Sequence, residues 1–87
     1  MKLLLSLVVA FTTINAFSAV NCTKEPKDKW LDQAKFKTDR ETEGYKIKVF
    51  KVTAGNCYEI YGTNKEGKKV EIYFNPTNAD KVKEEIK

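Results

Sequence analysis

The chain of 87 residues contains no histidine. That absence removes the most frequent general base at neutral pH, the commonest metal ligand, and every nucleophile activated by an imidazole. Glycine is sparse: Gly44, Gly55, Gly62 and Gly67 stand apart from one another, each explained by a turn or a helix end. No glycine-rich loop is therefore available to cradle a phosphate. There are only two cysteines, Cys22 and Cys57, and no Cys-x-x-Cys, so a thioredoxin-like redox role lacks its motif. Lysine and glutamate alternate without forming a basic block. That is the pattern of a solvated mixed-charge surface, not the clustered stripe that nucleic acid needs, and nucleic acid is not an expected partner. No apolar run reaches the roughly 20 residues of a membrane span.

What the sequence does have begins at its start. Lys2 supplies a positive charge, Leu3 to Phe11 a short apolar stretch, and Thr12 to Asn15 a more polar one. Ala16 and Ser18 then offer the small side chains that signal peptidase accommodates before a cut. The pattern predicts a removable secretory signal at residues 1–18 and a periplasmic or secreted domain at residues 19–87, with no stable membrane span after processing. Cys22 is poorly placed for lipidation, because Ala19 and Asn21 do not match the residues that precede an acylated cysteine. Outside the cytoplasm two cysteines read as one bridge, Cys22–Cys57. Sixteen Lys/Arg against 12 Asp/Glu becomes 15 against 12 once Lys2 is lost, a mild net charge of +3. At this size one core supplies only a few kcal/mol, so a covalent staple matters.

A helix is expected over Trp30–Glu43, with Trp30, Leu31, Ala34 and Phe36 as its apolar face and Gly44 as its stop. The first strand, Tyr45–Thr53, places Tyr45, Ile47 and Val49 on one face and Phe50 and Val52 on the other. That switch requires either a bulge or partial cover on both faces. Strands at Cys57–Gly62 and Lys68–Asn75 flank Asn64-Lys65-Glu66-Gly67, which fits a type I turn closed by a left-handed glycine. This turn sets Gly62 opposite Val70, Ile60 opposite Ile72 and Tyr58 opposite Phe74, all on one face. The other face receives Tyr61 with Glu71 and Glu59 with Tyr73, with Lys69 nearby. After Pro76, Asn78 is a cap candidate for a short helix with Ala79, Val82 and Ile86 spaced three and four apart. The expected architecture is α+β: an N-terminal helix on a three-stranded antiparallel meander, a short C-terminal helix, and one disulfide.

Glu59 and Glu71 imitate a catalytic carboxylate pair, yet cross-strand pairing with Tyr61, Tyr73 and Lys69 explains them without catalysis. No catalytic residue, metal ligand or cofactor is assigned. Tyr61 and Tyr73, on the face away from the apolar pairs, present rings of the kind enriched at interfaces. Together with Glu59, Glu71 and Lys69 they form the candidate partner-binding surface. Two other readings stay open: a cationic envelope-surface or secreted protein acting on anionic lipid or glycan, and an unfamiliar hydrolase using Glu59 and Glu71.

Three stretches, Gly44-Tyr45-Lys46-Ile47, Gly55 to Gly62 and Lys65 to Thr77, resemble the PepSY family. The likeness is nearest to small exported bacterial proteins made of one such domain. In those an N-terminal cysteine, a following tryptophan, a Gly-Cys-Tyr-Glu-like strand and an acidic-or-Asn-Pro-x-Thr ending recur; here they are Cys22, Trp30, Gly55 to Glu59 and Asn75 to Thr77. The resemblance implies an α+β fold without a catalytic centre. It also implies a binding module for an envelope protein. The specific form is restraint of a peptidase, since members occur in propeptides of thermolysin-like metallopeptidases. One departure stands out: the family follows Pro-x-Thr with glycine and a short β-like ending, where this chain has Asn78 and Ala79 and looks helical.

Overall fold

The computed structural model describes residues 19–87, so the expected signal at residues 1–18 lies outside the described residues. An extended arm leads through a 3-10 turn at Lys27–Lys29 into α1 (Gln33–Thr42). Four strands follow: β1 (Lys46–Val52), β2 (Tyr58–Thr63), β3 (Lys69–Phe74) and β4 (Lys81–Ile86). They form one antiparallel sheet in the order β1-β2-β3-β4. The fold is α+β, but it corrects the expected architecture in one element. The C-terminal segment is a fourth strand, not a helix.

α1 starts later than the apolar pattern suggests because Asp32 caps it, its Oδ2 accepting from the Lys35 N–H at 2.9 Å. Trp30 and Leu31 lie ahead of the cap. Gly44, at φ 109°, takes the left-handed conformation that ends the helix. The helix offers the sheet little more than Phe36 and Arg40, one turn apart and both buried. Phe36 meets the rings of Phe50, Tyr58 and Phe74 at centroid distances of 6.0, 4.9 and 5.1 Å. The Arg40 guanidinium lies 4.7 Å from the Phe36 centroid and 5.5 Å from that of Phe74, and reaches Glu43 at 3.1 Å. One polar helical residue is thus buried because aromatic faces and a carboxylate receive it. Ile60, Val70 and Ile72 complete the core.

The β2–β3 register is the one that turn chemistry and hydrophobic pattern require: Tyr58 opposite Phe74, Ile60 opposite Ile72, Gly62 opposite Val70. The Asn64 side chain accepts from the Glu66 and Lys68 N–H groups at 3.0 and 2.9 Å, and Gly67 has φ 82°. In β1 a bulge resolves the face switch. Ile47 pairs with Gly62 and Val49 with Tyr61, leaving Lys48 as the extra residue. Ile47 and Phe50 consequently both reach the core. Gly62 is obligatory at this crossing, since a Cβ there would sit 1.8 Å from the Lys46 carbonyl oxygen.

β4 forms for a backbone reason. With three strands, β3 would carry Val70, Ile72 and Phe74 into the core while its outer N–H and C=O groups lacked partners. The turn after Pro76 supplies the partner: Asn75 N–H donates to the Asp80 carbonyl at 2.8 Å, and Ala79 N–H donates to the Asn75 carbonyl at 2.8 Å. Ala79 adopts φ 68°, a conformation that reverses the chain against β3 and cannot open a right-handed helix. The spacing of Val82 and Ile86 misleads, because both remain on the surface, 45% and 57% exposed. Ala79 occupies the left-handed position that favours glycine. Ala79→Gly is expected to raise the free energy of unfolding by about 1 kcal/mol. Urea denaturation checks it; a loss of stability would show that the Ala79 methyl matters more to packing than its backbone strain.

The arm closes one end of the sheet through the Cys22–Cys57 disulfide. Around it, Cys22 N–H donates to the Gly55 carbonyl at 3.0 Å and Asn75 Nδ2 donates to the Cys22 carbonyl at 3.2 Å. A Cβ on Gly55 would lie 1.9 Å from the Val20 carbonyl oxygen, so the arm's approach demands glycine. Trp30 stands edge-on to Tyr58 at 5.7 Å. Leu31 N–H donates to the Pro76 carbonyl at 2.8 Å. Cys22, Trp30, Gly55, Asn75 and Pro76, all within the family resemblance, thus converge on one structural junction that builds the fold.

Candidate functional site

The sheet has α1 on one face; the other face carries every residue proposed for partner binding. Register defines its rows. Lys51, Glu59, Tyr73 and Lys83 lie side by side across β1 to β4, and Val49, Tyr61, Glu71 and Glu85 form the next row. Thr63 and Lys69 pair in the row beyond.

Glu59, Glu71 and Tyr73 come together as one cluster. Glu59 is only 6% exposed although it sits on the face without a helix. Burial pushes its carboxyl up to about 7, helped by a hydrogen bond with Glu71, while Lys51 at 3.9 Å offsets part of the rise. Glu71 moves the opposite way, below the usual carboxylate range, because it accepts from Glu59 and from Lys87. Lys87 Nζ lies 3.1 Å from Glu71 and 3.1 Å from Glu85, which relieves the repulsion of two glutamates placed directly opposite each other. Tyr73 Oη donates to Glu71 Oε2 at 3.2 Å. Burial and the two neighbouring carboxyls push the Tyr73 phenol up to about 12, so it stays protonated and donates throughout the physiological range. Below about pH 7 the pair therefore retains one proton, on the Glu59 side of the hydrogen bond.

A depressed and an elevated carboxyl side by side could serve acid–base chemistry. Glu59 is buried between its cross-strand neighbours, and a substrate needs contact with the proton it would receive. Among the described residues no group of three or more acidic, cysteine or histidine side chains converges as a metal site would.

Tyr61 and Lys69 stand apart from that cluster. Tyr61 is 36% exposed beside Val49, itself 43% exposed. With Lys69, Lys46, Lys48 and Thr63, Tyr61 lines a shallow cleft of about 300 Å³ at the β1 bulge. Sequence reasoning places the five residues on this face but misses Lys87 and the β1 lysines Lys46, Lys48 and Lys51. Lys51 was within reach of the alternation argument once the bulge was accepted. Lys87 depended on β4, whose pairing the misread C-terminal segment concealed.

No helix among the described residues is long and apolar enough to cross a membrane. A family model described as peptidase propeptide and YPEB domain matches residues 2–85. No curated protein and no solved structure matches the chain.

Proposed function

Because the chain belongs to the PepSY family, we propose that it is an exported, non-catalytic binding module that restrains a peptidase through the sheet face opposite α1. The observation that carries this reading is the row Val49–Tyr61–Glu71, where an exposed valine and tyrosine adjoin a fixed carboxylate on a face that no described helix covers. Aromatic and aliphatic groups rimmed by charge are the composition of protein interfaces. The cluster beneath supports it: Tyr73 is locked by its bond to Glu71, so little side-chain freedom remains to be lost on binding. The family's occurrence in peptidase propeptides supplies the class of partner. Cleavage before Ala19 and a domain comprising residues 19–87 belong to the same proposal.

A photo-crosslinking residue placed at position 61 tests the reading against one at Glu41 on the exposed part of α1. In the cell envelope the first is expected to yield an adduct whose mass-spectrometric identification is a peptidase. Adducts from position 41 alone would move the interface to the helix and overturn the assignment.

A further inference from the structure

β1 is an edge of the sheet, and among the described residues its outward backbone groups have no strand partner. Its sequence, Lys46-Ile47-Lys48-Val49-Phe50-Lys51-Val52, contains three lysines and no acid. The opposite edge differs. There β4 mixes signs and neutralises itself, with Lys81 on Glu84 at 3.2 Å and Lys83 on Glu85 at 3.3 Å. Lys46, Lys48 and Lys69 surround the cleft at the β1 bulge, and none of the three has a described carboxylate within ion-pair distance. On the helix side of the same strand Lys37 Nζ sits 5.2 Å from the Phe50 ring centroid. Lysines thus flank β1 on both faces, although Lys51 on the open face lies 3.9 Å from Glu59.

From this asymmetry we infer that the β1 edge takes an acidic, extended peptide segment of a partner protein as a fifth strand, with one of its carboxylates seated in the Lys46–Lys48–Lys69 cleft. Strand addition draws affinity from main-chain hydrogen bonds and specificity from the side chains that flank them. Charge complementarity selects the occupant. A second copy of this chain is a poor one, because two β1 edges would place lysines against lysines. Edge lysines also discourage indiscriminate pairing, and their charge favours an acidic strand over a neutral or basic one. The Thr63 and Tyr61 side chains at the cleft give the bound carboxylate hydroxyl donors beside the ammonium groups.

The inference deepens the binding-module reading by naming the chemistry of the partner segment, and its test is separate. The 15N-labelled protein is titrated with a short blocked peptide alternating glutamate and threonine. Controls are the same peptide with lysine for glutamate, and the acidic peptide with alternate amides N-methylated. Saturable amide shifts confined to Lys46–Val52 and Lys69 are expected from the acidic peptide alone, with binding at least tenfold weaker in Lys46→Glu/Lys48→Glu. Lys81→Glu/Lys83→Glu on the far edge, checked for an unchanged melting temperature like the first variant, is expected to bind as the parent does. Absence of a saturable shift, shifts centred on β4, or equal binding of the N-methylated peptide would each overturn strand addition at β1. A chain that restrains its peptidase through Tyr61 while β1 stays unshifted would overturn this inference alone.

Discussion

Replacing Cys22 and Cys57 together by alanine is expected to lower the free energy of unfolding by roughly 3–4 kcal/mol. The bridge joins positions 35 residues apart, and restriction of the unfolded chain by a loop of that length accounts for a loss of this order. The cost weighs heavily because the core is small: among the described residues its cluster is Phe36, Tyr58, Ile60, Val70, Ile72 and Phe74, three of them from β3. The bridge also holds the arm whose carbonyls receive Asn56 and Asn75 at 3.4 and 3.2 Å. Losing it should free residues 19–25 before the sheet melts. Chemical denaturation of the variant, with reduced wild type as a second route to the same state, checks the magnitude. A change below about 1 kcal/mol by both routes would show that the arm's hydrogen bonds suffice without the covalent tie.

The second large effect comes from Glu59. Its folded carboxyl titrates at about 7 against an ordinary value of 4.5, chiefly through burial. Between those values the folded chain keeps a proton that the unfolded chain has released. Stability is therefore greatest below about pH 4.5 as far as Glu59 is concerned, and is lost as pH rises toward 7. The full span corresponds to about 3 kcal/mol. Glu71 acts in the opposite sense: its lowered value contributes stability above the usual carboxylate range that is lost in stronger acid. The two together predict a maximum near pH 4.5, where both unfolded carboxyls titrate. Glu59→Gln keeps the shape and removes the titration, so the decline from pH 5 to 8 should flatten and the variant should exceed the parent at pH 8. Melting temperatures of both proteins across that range provide the test. Parallel pH profiles for the two would mean that Glu59 is solvated and ionised like any surface glutamate.

The hairpin was legible because two independent signals agreed. Asn64 and Gly67 fix a turn whose register brings every apolar residue of β2 and β3 to one face, and a slip by one residue would have reversed them. The cluster of Glu59, Glu71 and Tyr73 follows from that register. Its electrostatics do not. Alternation assigns Glu59 to the open face, whereas its burial depends on the long neighbours Lys51 and Tyr73 beside it in three dimensions. β4 was hidden for a different reason. Four of the six residues from Lys81 to Ile86 are Lys or Glu, at ease in a helix, and the segment's pairing with β3 comes from tertiary demand more than intrinsic preference. A glycine at position 79 would have announced the left-handed turn; alanine concealed it.

The proposed restraint of a peptidase depends on Tyr61 as a contact residue and on Tyr73 as the ring that supports it from the adjoining row. The most direct measurement is the hydrolysis of a small substrate by a thermolysin-like metallopeptidase from the same envelope, titrated with this protein. We expect saturable inhibition that weakens at least tenfold in Tyr61→Ala/Tyr73→Ala, with the variant's fold verified by its retained disulfide and cooperative unfolding. Undiminished hydrolysis at saturating protein, or equal inhibition by the parent and the variant, would contradict it.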